Sequence, residues 1–164
     1  MKKLTHGLVL FAGLLAVPSS KDTDLLYAEV THYKNDPRLD ALREFFRGKE
    51  CPVQNLAEDF LIASDRNDLD WRLLPSISFV ESGGGKEFMN NNIFGWDSCK
   101  QYFPSVRDGI HHVADRLGSS KTYRHKGVDE ILRIYNPRGE YAPLVKSVMR
   151  EIGPREVANN ASRN

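Results

Sequence analysis

The chain has 164 residues, enough for one domain that buries a core without metal or several disulfides. Hydrophobic residues at 40% and charged residues at 27% are ordinary for a soluble globular protein, and a formal net charge of +1 gives no bulk field for holding nucleic acid. No repeat period is present, which argues against a solenoid or array.

Residues 1–20 combine a basic start at Lys2 and Lys3, an apolar run from Leu8 to Val17, and small residues at Ser19 and Ser20. That is the layout of a secretory signal peptide, and it predicts a secreted or periplasmic protein after cleavage, without an integral membrane partner. Residues 21–36 form a charged leader in which Tyr27 and Val30 are positioned to dock locally. Asp36 before Pro37 is a helix start, and Leu39, Leu42, Phe45 and Phe46 supply its apolar stripe up to a stop at Gly48. A second helix follows Pro52, with Leu56, Phe60, Leu61 and Ala63 facing inward and 65–68 ending it.

The stretch 71–96 carries the chemistry. An apolar helix, with Asp70 as a candidate cap and Pro75 either in its first turn, if it starts near Leu74, or at a bend within it, ends in Glu81, Ser82 and the glycines 83–85. At about 100° per residue Glu81 shares a side with Leu74 and Ile77. Partial burial, the negative end of the helix dipole and the lack of a Lys or Arg in the preceding turn all favour a protonated Glu81. Such a group suits a general acid, whereas a solvent-facing Glu at a frayed end is the structural alternative. Asn91 and Asn92 offer amides for sugar hydroxyls and N-acetyl groups, and Phe94 and Trp96 offer flat faces for pyranose rings, with burial of Phe94 in the core as the alternative.

Further on, 105–117 reads as a helix with Val106, Ile110, Val113 and Leu117 inward and Gly118 as its stop. His111, His112 and Asp115 do not make a metal site, because adjacent histidines point about 100° apart on a helix, and neither metal nor cofactor is expected. A basic loop surrounds Tyr123. Val128 to Tyr135 is a short helix, interrupted at 136–139, and a last helix runs from Glu140 to Ile152 before Gly153 and Pro154.

Glu81-Ser82-Gly83 at the end of an apolar helix, followed by Asn92-Ile93-Phe94-Gly95-Trp96, resembles the glucosaminidase family, endo-β-N-acetylglucosaminidase-like peptidoglycan hydrolases of the lysozyme-like superfamily. The stretch 135–152, YNPRGEYAPLVKSVMREI, is similar to the end of that domain and to the Tyr-Asn element of lytic transglycosylases. The resemblance spans roughly 70–152. It implies a mainly α, lysozyme-like domain over 37–153, with a flexible tail at 154–164. Its β-lobe would be very short or absent, since only 83–92 separates Ser82 from Ile93.

The implied function is cleavage of the β-1,4 bond between N-acetylglucosamine and N-acetylmuramic acid by a monomer acting on peptidoglycan strands. Glu81 and Tyr135 are the implied catalytic residues. Ser82, Asn91, Asn92, Phe94, Trp96, Tyr123, Asn136 and Tyr141 are the substrate-binding candidates. No secure second carboxylate is present, Glu87 and Asp97 being the only acids nearby, so a transglycosylase giving anhydro-muramic ends and a non-catalytic glycan-binding module stay open. In an exported chain Cys51 and Cys99 can form one disulfide, worth about 4 kcal/mol by loop closure, or remain two thiols.

Overall fold

A computed structural model describes residues 33–156. The expected signal peptide at 1–20, the leader up to residue 32 with Tyr27 and Val30, and the tail from 157 lie outside the described residues. Among the described residues all regular structure is helical, six α-helices and two short 3-10 turns without a strand. The fold class is therefore mainly α.

Helix α1 (Pro37–Gly48) starts where Asp36 accepts the Arg38 N–H at 2.8 Å and Pro37 occupies the first turn. Its predicted stripe, Leu39, Leu42, Phe45 and Phe46, is buried. Arg38 bridges Asp36 and Asp65 at 2.7 and 2.8 Å, fastening the start of α1 to the end of α2 (Ala57–Arg66). Tyr33 joins the same knot through its hydroxyl, which donates to Asp65 at 3.1 Å, so packing begins inside the expected leader. A 3-10 turn at Pro52–Leu56 leads into α2, where Phe60, Leu61 and Ala63 are fully buried.

Helix α3 (Leu73–Ser82) is the centre of the domain, with everything from Leu73 to Ser78 out of contact with water. A helix buried over its first six residues must be surrounded there, and it packs chiefly on α6 (Tyr141–Ile152). Pro75 falls in its first turn, where no intrahelical N–H is needed. Asp70 caps it from outside, accepting the Arg72 N–H at 3.1 Å while its carbonyl accepts from Leu73.

Helix α4 (Val106–Ser119) is capped by Ser105, which accepts the Asp108 N–H, and packs on α2. It runs through Gly118, the expected stop, and ends only when Ser120 becomes extended. A Cβ on Gly118 would lie 2.6 Å from the Asn67 carbonyl oxygen, so this glycine serves the approach of α4 to the end of α2. Helix α5 (Val128–Tyr135) then leads through 136–140 into α6, which buries Tyr141, Val145, Val148, Met149 and Ile152. Among the described residues no helix is long and apolar enough to cross a membrane.

Candidate active site at the end of the third helix

Three consecutive glycines take left-handed backbone angles as α3 ends, with φ of 62°, 66° and 85° at Gly83, Gly84 and Gly85. Gly83 N–H returns to Phe79 O at 2.9 Å and Gly84 N–H to Ser78 O at 3.1 Å, so these two carbonyls near the end of α3 are occupied. The turn backs onto Cys51, whose Sγ would lie 2.6 Å from a Cβ on Gly84. These glycines hold the end of α3 against the 51–53 segment. Glu81 is left pointing the other way.

The chain returns to Glu81 through 90–96. Ser82 is buried, and its hydroxyl faces Ile93 O at 2.8 Å and Ser78 O at 2.9 Å while accepting the Gly85 N–H. Asn92, also buried, donates its amide to Trp96 O and Gln101 O and accepts the Trp96 N–H. Asn91 donates to Phe103 O at 2.8 Å and to Pro104 O, and Asn90 to Cys99 O. The polar side chains expected to meet sugar thus brace the 92–104 loop. Phe94 is fully buried, its ring against Phe60, and only its carbonyl serves the site.

What this bracing delivers is Gly95 beside the carboxyl group. A Cβ on Gly95 would sit 2.9 Å from Glu81 Oε2, and its φ of 63° favours glycine independently. The two elements enclose one side of a cleft of about 620 Å³. Trp96, Tyr123 and Tyr135 form its aromatic wall, Trp96 standing 6.2 Å from the Tyr123 ring and 5.7 Å from that of Tyr135. Asn136 adjoins this wall. Of the expected site residues, Glu81, Trp96, Tyr123, Tyr135 and Asn136 therefore meet in one place. Ser82, Asn91, Asn92 and Phe94 stand behind it.

Tyr135 enters with its phenol already committed, the hydroxyl donating to Phe94 O at 2.5 Å. Burial, then the negative charge of Glu81, pushes this phenol well above the usual range, so it stays neutral. Tyr141 is stacked behind it at 6.0 Å with the rings 7° apart. The buried Tyr141 hydroxyl makes no hydrogen bond of full geometry, yet lies close enough to Glu81 for each to shift the other.

Glu81 as a residue opens to solvent through the cleft, while the protein packed around its carboxyl desolvates the charged form. That desolvation raises its proton affinity above the ordinary carboxylate value, and the nearby Tyr141 hydroxyl offsets part of the rise. Among the described residues no ion pair forms at Glu81. A carboxyl group so placed can hold a proton and release it to a substrate oxygen.

Asp97, one of the two acids noted near Glu81 in sequence, lines the cleft rim, and the cleft also contains groups outside the expected site: Ser98 and Gln101 at the rim, and His112 and Arg116 reaching it from α4. Their spacing of four on one helix was the available signal. Asp97, Ser98 and Cys99 form a left-handed turn, with φ of 51°, 54° and 63°, a conformation costing about 1–2 kcal/mol for each ordinary residue. His111 points elsewhere and pairs with Asp59 at 3.6 Å. Among the described residues no group of His, Cys, Asp or Glu is placed to hold a metal ion.

The expected disulfide does not form, and Cys51 and Cys99 are free thiols. Cys51 is buried against Gly84, where desolvation raises its proton affinity, while Cys99 belongs to the left-handed turn beside Gly95. The two sulfurs have different neighbours because the triple-glycine turn takes up Cys51. No family model matches the chain, and no curated protein or solved structure matches it.

Proposed function

We propose that the protein is a lysozyme-like glycosidase of peptidoglycan, cleaving β-1,4 bonds between N-acetylglucosamine and N-acetylmuramic acid, with Glu81 as general acid. The observation carrying this reading is Glu81 itself, a carboxyl group of raised proton affinity paired with no described cation, at the side of an aromatic-walled cleft. Protonated Glu81 gives its proton to the leaving glycosidic oxygen, and the bond to the anomeric carbon breaks toward an oxocarbenium-like centre. Trp96 and Tyr123 offer faces on which pyranose rings can rest. Tyr135 positions the wall rather than moving a proton, because its own is held by Phe94 O.

After the first step Glu81 is a carboxylate and can act as a base. Taking a proton from water, it completes hydrolysis and leaves a reducing end. Taking it from a muramic hydroxyl that attacks the same carbon, it leaves an anhydro end. Asp97 in the same cleft favours hydrolysis, since a second carboxylate there can stabilise the cationic centre or direct water.

Mass spectrometry of soluble products from purified peptidoglycan, with wild type and Glu81→Gln over a range of pH, tests the proposal. Products from wild type alone are expected, and their ends distinguish the two chemistries. Binding without products from either protein would overturn the enzymatic reading in favour of a glycan-binding module.

A further inference from the structure

On α4, Arg107 and His111 meet Asp59 at 2.8 and 3.6 Å. Burial works against the Asp59 anion, but His111 and Arg107 outweigh it and hold this carboxyl below its usual range. That face of the helix is electrically closed. One residue around from His111, His112 turns toward the cleft with its ring against Phe103, and Arg116 follows one turn later. Arg116 makes no ion pair with any described residue, and the residue one turn before it, the cleft-facing His112, is not an acid.

An exposed arginine without a partner is common, but this one lines the same cleft as Glu81, with the Tyr123 phenol close enough to feel its charge. Its guanidinium is a planar fork of donors matched to a carboxylate, and His112 adds a ring N–H in either protonation state. The acids of the cleft, Glu81 and Asp97, make no ion pair with it.

We infer that Arg116 and His112 form a subsite for a carboxylate carried by the glycan, so that the cleft selects acidic strands over neutral ones. The inference rests on the glycan cleft proposed above and adds a specificity determinant to it. In peptidoglycan the carboxylate has two sources, the lactyl group of a muramic residue freed of its peptide, or the stem peptide itself. Recognition of the first places this protein after a reaction that hydrolyses the amide bond between sugar and peptide.

The test uses three substrates: peptide-free strands, the same strands with their carboxylates converted to methylamides, and peptide-bearing strands. Wild type should show about a tenfold lower KM on the peptide-free acidic strands than on the amidated ones. Arg116→Gln should abolish that difference while leaving kcat and the KM for amidated strands within about twofold, and Arg116→Lys should restore part of it. A KM on peptide-bearing strands at or below that on the peptide-free acidic ones, raised by Arg116→Gln, assigns the subsite to the stem. Wild type that treats acidic and amidated strands alike, or Arg116→Gln that slows all three equally, overturns the subsite and leaves glycan cleavage intact.

If wild type cleaves none of the three, the proposed function fails, and calorimetric binding of the same strands decides the inference. A preference for acidic strands removed by Arg116→Gln sustains it. Equal binding, or none, ends it.

Discussion

The two ends of α3 each carry an acid, and they are treated in opposite ways. At the start, burial works against the Asp70 anion, but a bidentate pair with Arg72, the Arg72 N–H and the nearby Arg155 outweigh it and hold the carboxyl below its usual range. Arg72 continues to Gly153 O, and Trp71 Nε1–H donates to Arg155 O, so this acid belongs to the fastening between α3 and the chain after α6. At the other end burial acts on Glu81 with no described cation paired to it, and the carboxyl is raised. Burial opposes the charged form in both places. The neighbours decide whether the result is architecture or chemistry.

Removing the chemical end should have the largest effect on activity. Glu81→Gln keeps the shape and loses the transferable proton, so turnover on peptidoglycan should fall about 10²–10⁴-fold, measured as product release. Its effect on folding should have the opposite sign. A carboxyl whose folded proton affinity is raised binds more protons folded than unfolded, so stability falls as pH rises from the ordinary glutamate range through the raised value. The Gln variant lacks that loss and should melt at the same temperature as wild type or slightly higher at neutral pH. A large drop in melting temperature would make Glu81 a structural residue.

The architectural end should give the reverse pattern. Asp70→Asn leaves Arg72 without its partner at a nearly buried site and should cost about 3 kcal/mol in denaturant unfolding, with turnover per folded molecule unchanged. Because the folded Asp70 carboxyl is held low, its stabilisation is present above the ordinary aspartate range and is lost as pH falls through the depressed value. Wild type and Asp70→Asn should therefore converge in stability toward acid pH. A constant gap would remove the ionic reading of this end.

The architectural half was the more legible in sequence. Asp36 before Pro37, Ser105 before an apolar-periodic run and Asp70 before α3 are local signals, because a cap and its N–H partners lie within three residues. Glu81 was legible for the same reason, as an acid with no near cation at the end of an apolar helix. What failed depended on distant segments. Gly118 reads as a stop but answers to Asn67, and Cys51 answers to Gly84. The asparagines 90–92 have amides suited to sugar, yet the carbonyls of 96–104 reach them first. Arg116 went unnoticed because an arginine without an acid is visible only once all its neighbours are placed.

Smaller perturbations near Glu81 sharpen the contrast without removing the acid. Gly95→Ala puts a methyl group where Glu81 Oε2 lies at 2.9 Å, at a left-handed φ. The carboxyl ends a flexible side chain and can swing aside, so the stability cost should stay near the ~1 kcal/mol of the backbone conformation. Activity should fall more, about tenfold or beyond, since the proton donor is displaced from its reacting position. Equal activity in this variant would mean that the carboxyl does not act from where Gly95 leaves it.

Tyr141→Phe is the finest test, because it changes the proton affinity of Glu81 and little else. The ring still stacks on Tyr135, and the atom removed is a buried hydroxyl without a hydrogen bond of full geometry, so stability should be unchanged or slightly higher. That hydroxyl lowers the proton affinity of Glu81, and without it the carboxyl should hold its proton to higher pH. A general acid works while protonated, so the alkaline limb of the pH–rate profile should move upward in pH, and the maximal rate should fall only a few-fold as the anion formed on proton release loses a nearby hydroxyl. A shift in the other direction would assign that limb to a group other than Glu81.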